Sequence, residues 1–374
     1  MAGPYYVDGD AGNDSNAGTS PGAGNAWLTI AKLLATMGDG EIGYVKVRAA
    51  SAVYSIGTGL SVTAGNYHVT TRIIGYTSSI TDGGRPTVKA TAAIVGLSFG
   101  SAPMVSFENF IFDGDSTGTK GIDGGSVYGC SLINCIIKNW TAEAMELGGF
   151  SFSAHGCQFT NCGGTSGTIS NGTSLVLTGC VINGNSKSGI YSFSGSPLSV
   201  SRCIISSNTG KGINHNGPYA GLNVVNCTIY NNTSDGILLS THASNTGIRN
   251  NIISTNGGYG INDDALTQAG VDTKIDYNAF YANTSGARNT TLSASPHDVT
   301  LSGDPFTNAA GGDFSLNNTA GAGADCRAAG FPGAMIYGGT GYLDLGALQH
   351  QDSGGGGGGG PTFGPGGPLF RGKI

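Results

Sequence analysis

Eight segments of this 374-residue chain can be laid over one another. They start at Asn109, Cys135, Cys157, Cys180, Cys203, Cys227, Asn251 and Asn278, in steps of 26, 22, 23, 23, 24, 24 and 27 residues. Two places after each start stands a large apolar residue: Ile111, Ile137, Phe159, Ile182, Ile205, Ile229, Ile253 and Phe280. Four or five places after, seven of the eight carry Asn: Asn139, Asn161, Asn185, Asn208, Asn231 or Asn232, Asn256 and Asn283. Four segments read Gly-Ile nine and ten places on, at 189–190, 212–213, 236–237 and 260–261. A fixed period of this length with constant apolar columns marks a stacked solenoid.

The residue types say which solenoid. Helical repeats need long apolar faces at 3.6 spacing. Here the apolar runs are short and β-rich, as in Leu198-Ser199-Val200 and Cys203-Ile204-Ile205. Each unit holds three short strands separated by Asn, Gly and Ser turns. About 23 residues at roughly 3.3 Å each wrap once around a three-sided tube, and the next unit stacks about 4.8 Å away. The expectation is an all-β fold: a right-handed, single-stranded parallel β-helix. In such a stack like lies over like. An Asn column hydrogen-bonds along itself, and Asn also tolerates the left-handed backbone of a sharp corner. The Cys column places small apolar side chains in the core.

Gly is 67 of 374 residues and charged residues are 11%, but the 39% apolar content and the strict columns argue against disorder for residues 40–350. A net charge of −6 with no basic stripe speaks against a nucleic-acid partner. Five of the eight cysteines share one column (Cys135, Cys157, Cys180, Cys203, Cys227) and cannot all pair, so free buried thiols are expected. No CxxC or His-rich spacing suggests zinc, and no metal site is assigned. No apolar stretch approaches the roughly 18 residues of a transmembrane helix.

The chain opens with a strand, Tyr5-Tyr6-Val7, then a small polar loop from Asp8 to Gly24. Residues 26–35 predict a short amphipathic helix capped by Asn25, with Trp27, Ile30, Leu33 and Leu34 on one face. Such a helix plugs the open end of a β-helix. Tyr-Val-Asp, a Gly/Asp/Asn/Ser loop, then Ala-Trp-x-Thr-Ile resembles the N-terminal cap of the pectate-lyase-like β-helix superfamily, which includes phage tailspikes and polysaccharide lyases. The resemblance runs through about residue 285 and specifies fold far better than activity. Asp8, Asp10 and Asp14 offer hard oxygen ligands for calcium, although their spacing is not that of an EF-hand. No other cofactor is implied. No secretory leader is visible. Assembly into a virion, released by lysis, is the route expected of a β-helix made without one.

Domain boundaries follow composition: residues 1–40 as strand and capping helix, 41–300 as rungs, 301–352 as a C-terminal cap, and 353–374 as a Gly-rich extended tail. The tail begins with seven consecutive glycines, Gly354 to Gly360. Ordering them costs conformational entropy, so the tail is expected to dock on a neighbouring virion subunit. Phe363, Leu369 and Phe370 are its apolar anchors, and Arg371 and Lys373 would meet an acidic patch.

Glycoside hydrolysis needs two carboxylates about 5–5.5 or 6.5–9.5 Å apart. Asp235, Asp263, Asp264, Asp272, Asp276, Glu143 and Glu146 are the acids available, with Asp263 and Asp264 the foremost catalytic candidates. No constellation unites them: Asp263 and His215 share a column two rungs apart, and Asp235 and Lys211 suggest a surface ion pair. Sugars stack on exposed aromatics, which nominates Tyr191, Tyr230 and Tyr259 for glycan contact, with Tyr219 and Tyr281 nearby. Three functions compete. The preferred one is a structural or attachment protein of a phage virion: a capsid decoration or tail fibre, oligomeric and by analogy trimeric, touching a host surface glycan. The second is a tailspike-type depolymerase or polysaccharide lyase, and the third a secreted bacterial adhesin.

Overall fold

The computed structural model describes residues 4–62, 69–101, 104–217, 220–240, 246–264, 274–289, 295–331 and 343–349. Each coil contributes a strand to each of three faces. In one coil these are Ser188–Ser192 on the first face, Leu198–Ser201 on the second and Ile204–Ser206 on the third. Every one pairs in parallel with the equivalent strand of the next coil. The third-face sheet has eleven strands among the described residues, from Tyr54–Ile56 to Val299–Thr300. The first and second faces merge into one 19-stranded sheet, because Lys120–Ile133 and Met145–His155 run round the corner between them.

Alternation along these strands fills the tube. On the third face Phe112, Ile137, Phe159, Ile182, Ile205, Ile229, Ile253 and Phe280 lie side by side and buried. The Gly-Ile isoleucines (Ile190, Ile213, Ile237, Ile261) form the inward column of the first face, fully buried. Their glycines are sterically required. A Cβ on Gly212 would stand 2.5 Å from Gly236 O and 2.7 Å from Ile229 Cγ2. The alignment of the first segment needs one correction: Ile137 lies beside Phe112, not Ile111, so the segment starts at Phe110. Asn109 belongs to the preceding corner, where its φ is 60°.

The corners explain the Asn columns, which are two and not one. Asn139, Asn161, Gly184, Ser207, Asn231, Thr255 and Ala282 all have φ between 49° and 65°. They turn the chain out of the third face through the left-handed region, which Gly and Asn enter most cheaply. One residue later comes the true ladder: Asn185, Asn208, Asn232, Asn256 and Asn283. Each amide nitrogen donates to the next Asn Oδ1, at 2.8 to 3.0 Å, and back to a core strand carbonyl, as from Asn208 to Ile182 O at 3.1 Å. Each Oδ1 also receives a backbone N–H from the coil before, as from Asn208 N to Asn232 at 3.2 Å. Thus buried amides satisfy one another.

The five-cysteine column is fully buried, and all eight cysteines are free thiols. Burial pushes Cys130 up to about 11 and Cys162 and Cys326 up to about 12, away from the reactive thiolate. Toward the C-terminal end the Cys column becomes Asn251 and Asn278, a second ladder that ends on Asp298, itself ion-paired with Arg288.

Tyr5–Val7 adds the outermost strand of the second face, beside Ile42–Lys46. The helix spans Ile30–Thr36, not 26–35, and its cap is Thr29, whose hydroxyl accepts from Lys32 N. Asn25 lies upstream in the loop, with its carbonyl accepting from Gly18 N. Asp14 explains the shift: its carboxylate accepts from Leu28 N, Thr29 N and the Thr29 hydroxyl, holding the chain extended through Trp27. Trp27, Ile30, Leu33 and Leu34 are buried on the core all the same.

The segment after residue 300 takes a course that composition does not reveal. Phe306–Asn308 and Asp313–Leu316 form an antiparallel hairpin. Its Phe306 and Phe314 pack edge-on against Tyr230, with centroids 5.9 and 5.5 Å away. Val181, Ile204, Ile252 and Ala279, which point outward from the third face, join the same apolar cluster, with Leu301, Cys326 and Leu345. Gly346 N donates to Asn250 O and Ala347 N to the Thr228 hydroxyl. This layer therefore folds back along one flank of the solenoid, toward the earlier coils, instead of sitting across the far end.

Candidate functional site

The C-terminal layer covers the third face from about Val181 to Tyr281, which leaves the first and second faces outside it. Alternate positions on the first face run Asp123, Glu146, Ser170, Tyr191, Asn214, Leu238 and Asn262, one per coil, of which Ser170 and Leu238 are buried. At the N-terminal end of this row Lys120 is ion-paired with Glu146 and lies 3.8 Å from Asp123. Burial works to lower the Lys120 pKa, but the carboxylates outweigh it and hold the ammonium above its ordinary value. That is the opposite of what a lysine base requires. Glu143 is buried and accepts from Thr165 N at 2.8 Å. Asp235 is buried too. It accepts from Tyr259 N and Asn262 Nδ2, so it locks the next coil instead of pairing with Lys211.

Asp263 ends the strand Tyr259–Asp263, and Asp264 follows it, exposed. In the register His215, Leu239 and Asp263 are successive. Leu239 therefore separates His215 from Asp263 by a whole coil, and the two are roughly 10 Å apart at the ordinary strand spacing. Asp276 lies on the second face, occupied by Tyr277 N and His297 Nδ1. Asp272 and the tail anchors Phe363, Leu369, Phe370, Arg371 and Lys373 lie outside the described residues. The three candidate calcium ligands take separate tasks. Asp8 binds Lys46 and two backbone amides of its own loop, Asp10 binds Arg48 and Ala49 N, and Asp14 holds Leu28 and Thr29 ahead of the helix.

His215 is fully buried, and burial lowers its pKa below the ordinary 6.5. Its folded form stays neutral while the unfolded chain takes up a proton. Stability is therefore full above pH 6.5 and should fall as pH drops below it, by up to about 1.4 kcal/mol per unit until the folded-state pKa is reached. Urea unfolding at pH 7.5 and pH 5 will show this. His215→Leu should flatten the slope, and an unchanged slope would assign it elsewhere.

The tyrosines divide. Tyr230 is half-buried, with Phe306 and Phe314 of the C-terminal layer packed edge-on against its ring. Tyr259 is half-buried on the first face. Tyr191 also lies on that face, stacked on Phe193 with centroids 5.8 Å apart, its hydroxyl accepting from Asn216 Nδ2. At the same corner Tyr128 and Phe150 stack at 4.1 Å. Phe150 and Phe193 are 59% and 43% exposed, among the most exposed large apolar side chains described. The reading of tyrosines alone missed both. The available signal was a Phe directly after Gly148-Gly149, and another two places after Tyr191.

Residues 93–251 match the family model described as a right handed beta helix region. The chain is a right-handed parallel β-helix. Among solved structures this β-helix resembles the pectate lyase Pel9A, with a TM-score of 0.60 and 15% identity over 93% of this chain and 96% of that one. A rhamnogalacturonan lyase gives 0.54 and 14%, over 82% and 90%. ORF18 of Geobacillus virus E2 gives 0.49 and 14%, over 79% and 60%. At these identities the likeness is one of fold. No curated protein sequence matches the chain significantly.

Proposed function

We propose that this β-helix is a structural attachment protein of a phage virion, a stiff rod that presents its first face and adjoining corner outward. The observation that carries this reading is the use of the charged groups. Two buried acids of this face are bonded to the backbone of the neighbouring coil, and a third is ion-paired with lysine. Asp235 and Glu143 accept backbone amides, Glu146 neutralises Lys120, and Asp263 is two coils away from His215. A surface of this kind binds without turning over. The proposal extends to the tail: residues 354–374 would fix the rod to another virion protein, and rods would associate with one another, a trimer being the expected state. It needs no cofactor.

The test is direct. Full-length protein incubated with pectate, rhamnogalacturonan and bacterial capsule should release no new reducing ends or unsaturated products. Deleting residues 354–374 should abolish incorporation into particles and leave the circular dichroism of the rod unchanged. Steady product release would replace attachment by the lyase or hydrolase reading, and undiminished incorporation would remove the tail from the mechanism.

A further inference from the structure

Three of the seven exposed large apolar side chains among the described residues lie in three consecutive coils. They are Phe150, Val176 and Phe193, at 59%, 38% and 43% exposure. Phe150 and Phe193 stand at the corner between the first and second faces, and Val176 lies on the second face in the coil between them. Each Phe has a tyrosine stacked on it: Tyr128 on Phe150, centroids 4.1 Å apart, and Tyr191 on Phe193, at 5.8 Å. At Gly172 a Cβ would stand 2.8 Å from Phe193 Cζ, so its absence lets that ring lie against the preceding coil. Apolar groups gathered in this way on a surface mark a contact.

The same patch is free of charge. Outward positions on the second face run Ser131, Ser153, Val176, Ser199 and Asn223, none of them buried. That row, the neighbouring one from Ile133 to Val225, and the corner segments 124–130, 148–150, 172–173 and 193–197 hold no Asp, Glu, Lys or Arg. The charges of these coils lie elsewhere. Lys120, with Asp123 and Glu146, is on the first face. Lys187 and Lys211 stand at the far edge of that face, ahead of its strands; Lys187 precedes Phe193 by six residues, about 20 Å of strand. Arg202 turns the corner between the second and third faces.

We infer that this patch is where copies of the chain meet, side by side and heading the same way, about a rotation axis that runs along the aromatic corner. The inference deepens the association of rods proposed above and rests on it. In such an arrangement each residue on the axis meets its own copy at the same height. A charge there would repel its own copies, whereas rings and hydroxyls can pair with their own kind. An unrelated partner would impose no such rule on five successive coils. The opposite flank is closed to this contact, because the C-terminal layer covers the third face from about Val181 to Tyr281. Size fits as well. Five coils at about 4.8 Å and a width of about 25 Å, corner included, give about 600 Å² per copy. Two copies then bury about 1,200 Å², the lower bound of the range for specific interfaces. The first face and its corner with the third, where Lys187 and Lys211 stand, point outward, as the attachment reading requires.

Sedimentation equilibrium of the full-length protein over a wide range of concentration should show a closed oligomer. The double variant Phe150→Glu/Phe193→Glu sets like charges on the axis. Its dissociation constant should rise at least about a hundredfold, with the circular dichroism of the parent, since both rings are exposed. Phe331→Glu, at a ring 40% exposed outside the patch, is the control and should associate as the parent does. Heading is read from Phe150→Cys. The eight native thiols are buried, so oxidation with diamide should join copies through the introduced thiol alone, giving a dimer band that reductant removes. A protein that stays monomeric, a double variant that associates like the parent, or the absence of a cross-link from Phe150→Cys would each overturn the inference. So would association that is lost on deleting residues 354–374 and kept by the double variant, which would make the tail the contact. Monomeric protein whose incorporation into particles still needs the tail would remove this interface and leave the attachment role standing.

Discussion

Asn208→Ala will lower the unfolding free energy by about 3–5 kcal/mol, while Asn231→Ala, in the next coil, will cost only about 1 kcal/mol. Asn208 is fully buried. Its amide donates to Asn232 Oδ1 and Ile182 O, and its Oδ1 accepts from both nitrogens of Asn185. Alanine would break all four bonds in the core, each worth about 0.5–1.5 kcal/mol net, although Asn232 Oδ1 keeps the backbone N–H of residue 208 and Asn185 Nδ2 keeps Phe159 O. Asn231 is exposed and holds only a left-handed corner at φ 52°. Alanine there loses the local preference and nothing more. Urea unfolding of the two variants checks the contrast. Equal losses, or a loss below about 1 kcal/mol at Asn208, would mean that the ladder does not stabilise the stack.

Phe314→Ala should loosen the C-terminal layer before it loosens the coils. The ring is 3% exposed and wedged among Tyr230 and Phe306. Truncating a buried Phe costs about 3–5 kcal/mol, which is large against a layer held by one small apolar cluster. Local opening would rise about a hundredfold or more, since about 1.4 kcal/mol is tenfold in an equilibrium. Limited proteolysis should then cut within residues 301–349 first, leaving a resistant fragment that contains the coils. Phe331→Ala, at a ring 40% exposed, is the control and should cut at the parent rate. If Phe314→Ala is cut no faster than the parent, or if coils and layer are lost together, the layer is not a separate unit of stability.

Much of the solenoid was readable in the chain itself. The Gly-Ile pairs, the Cys column and the apolar residues two places after the last seven starts all take the positions that period and alternation assign them. The reading failed where two neighbouring residues of one type do different work. Asn231 and Asn232 both follow a third-face strand, and both suit a corner or a ladder by composition. Only the register makes one a turn and the other a buried amide. The same one-residue ambiguity put the first start at Asn109 instead of Phe110. For the open face, the sequence supplied Tyr191 but could not tell it from Tyr230, which has a similar setting along the chain. Tyr230 is partly covered by Phe306 and Phe314, residues far along the sequence.

The sequence by itself determined a stacked three-sided coil, because a repeat of side-chain types at equal spacing is a local property that survives without knowledge of any contact. It also determined that the core would hold thiols and amides, since five Cys and five Asn recur at fixed offsets. Only the tertiary structure decided which flank is covered and which corner is left with bare aromatic rings. Those outcomes hang on contacts such as Ala347 to Thr228, 119 residues apart, and Phe331 to Asn250, 81 apart. No periodicity carries such pairings, because the segment that makes them lies beyond the repeat.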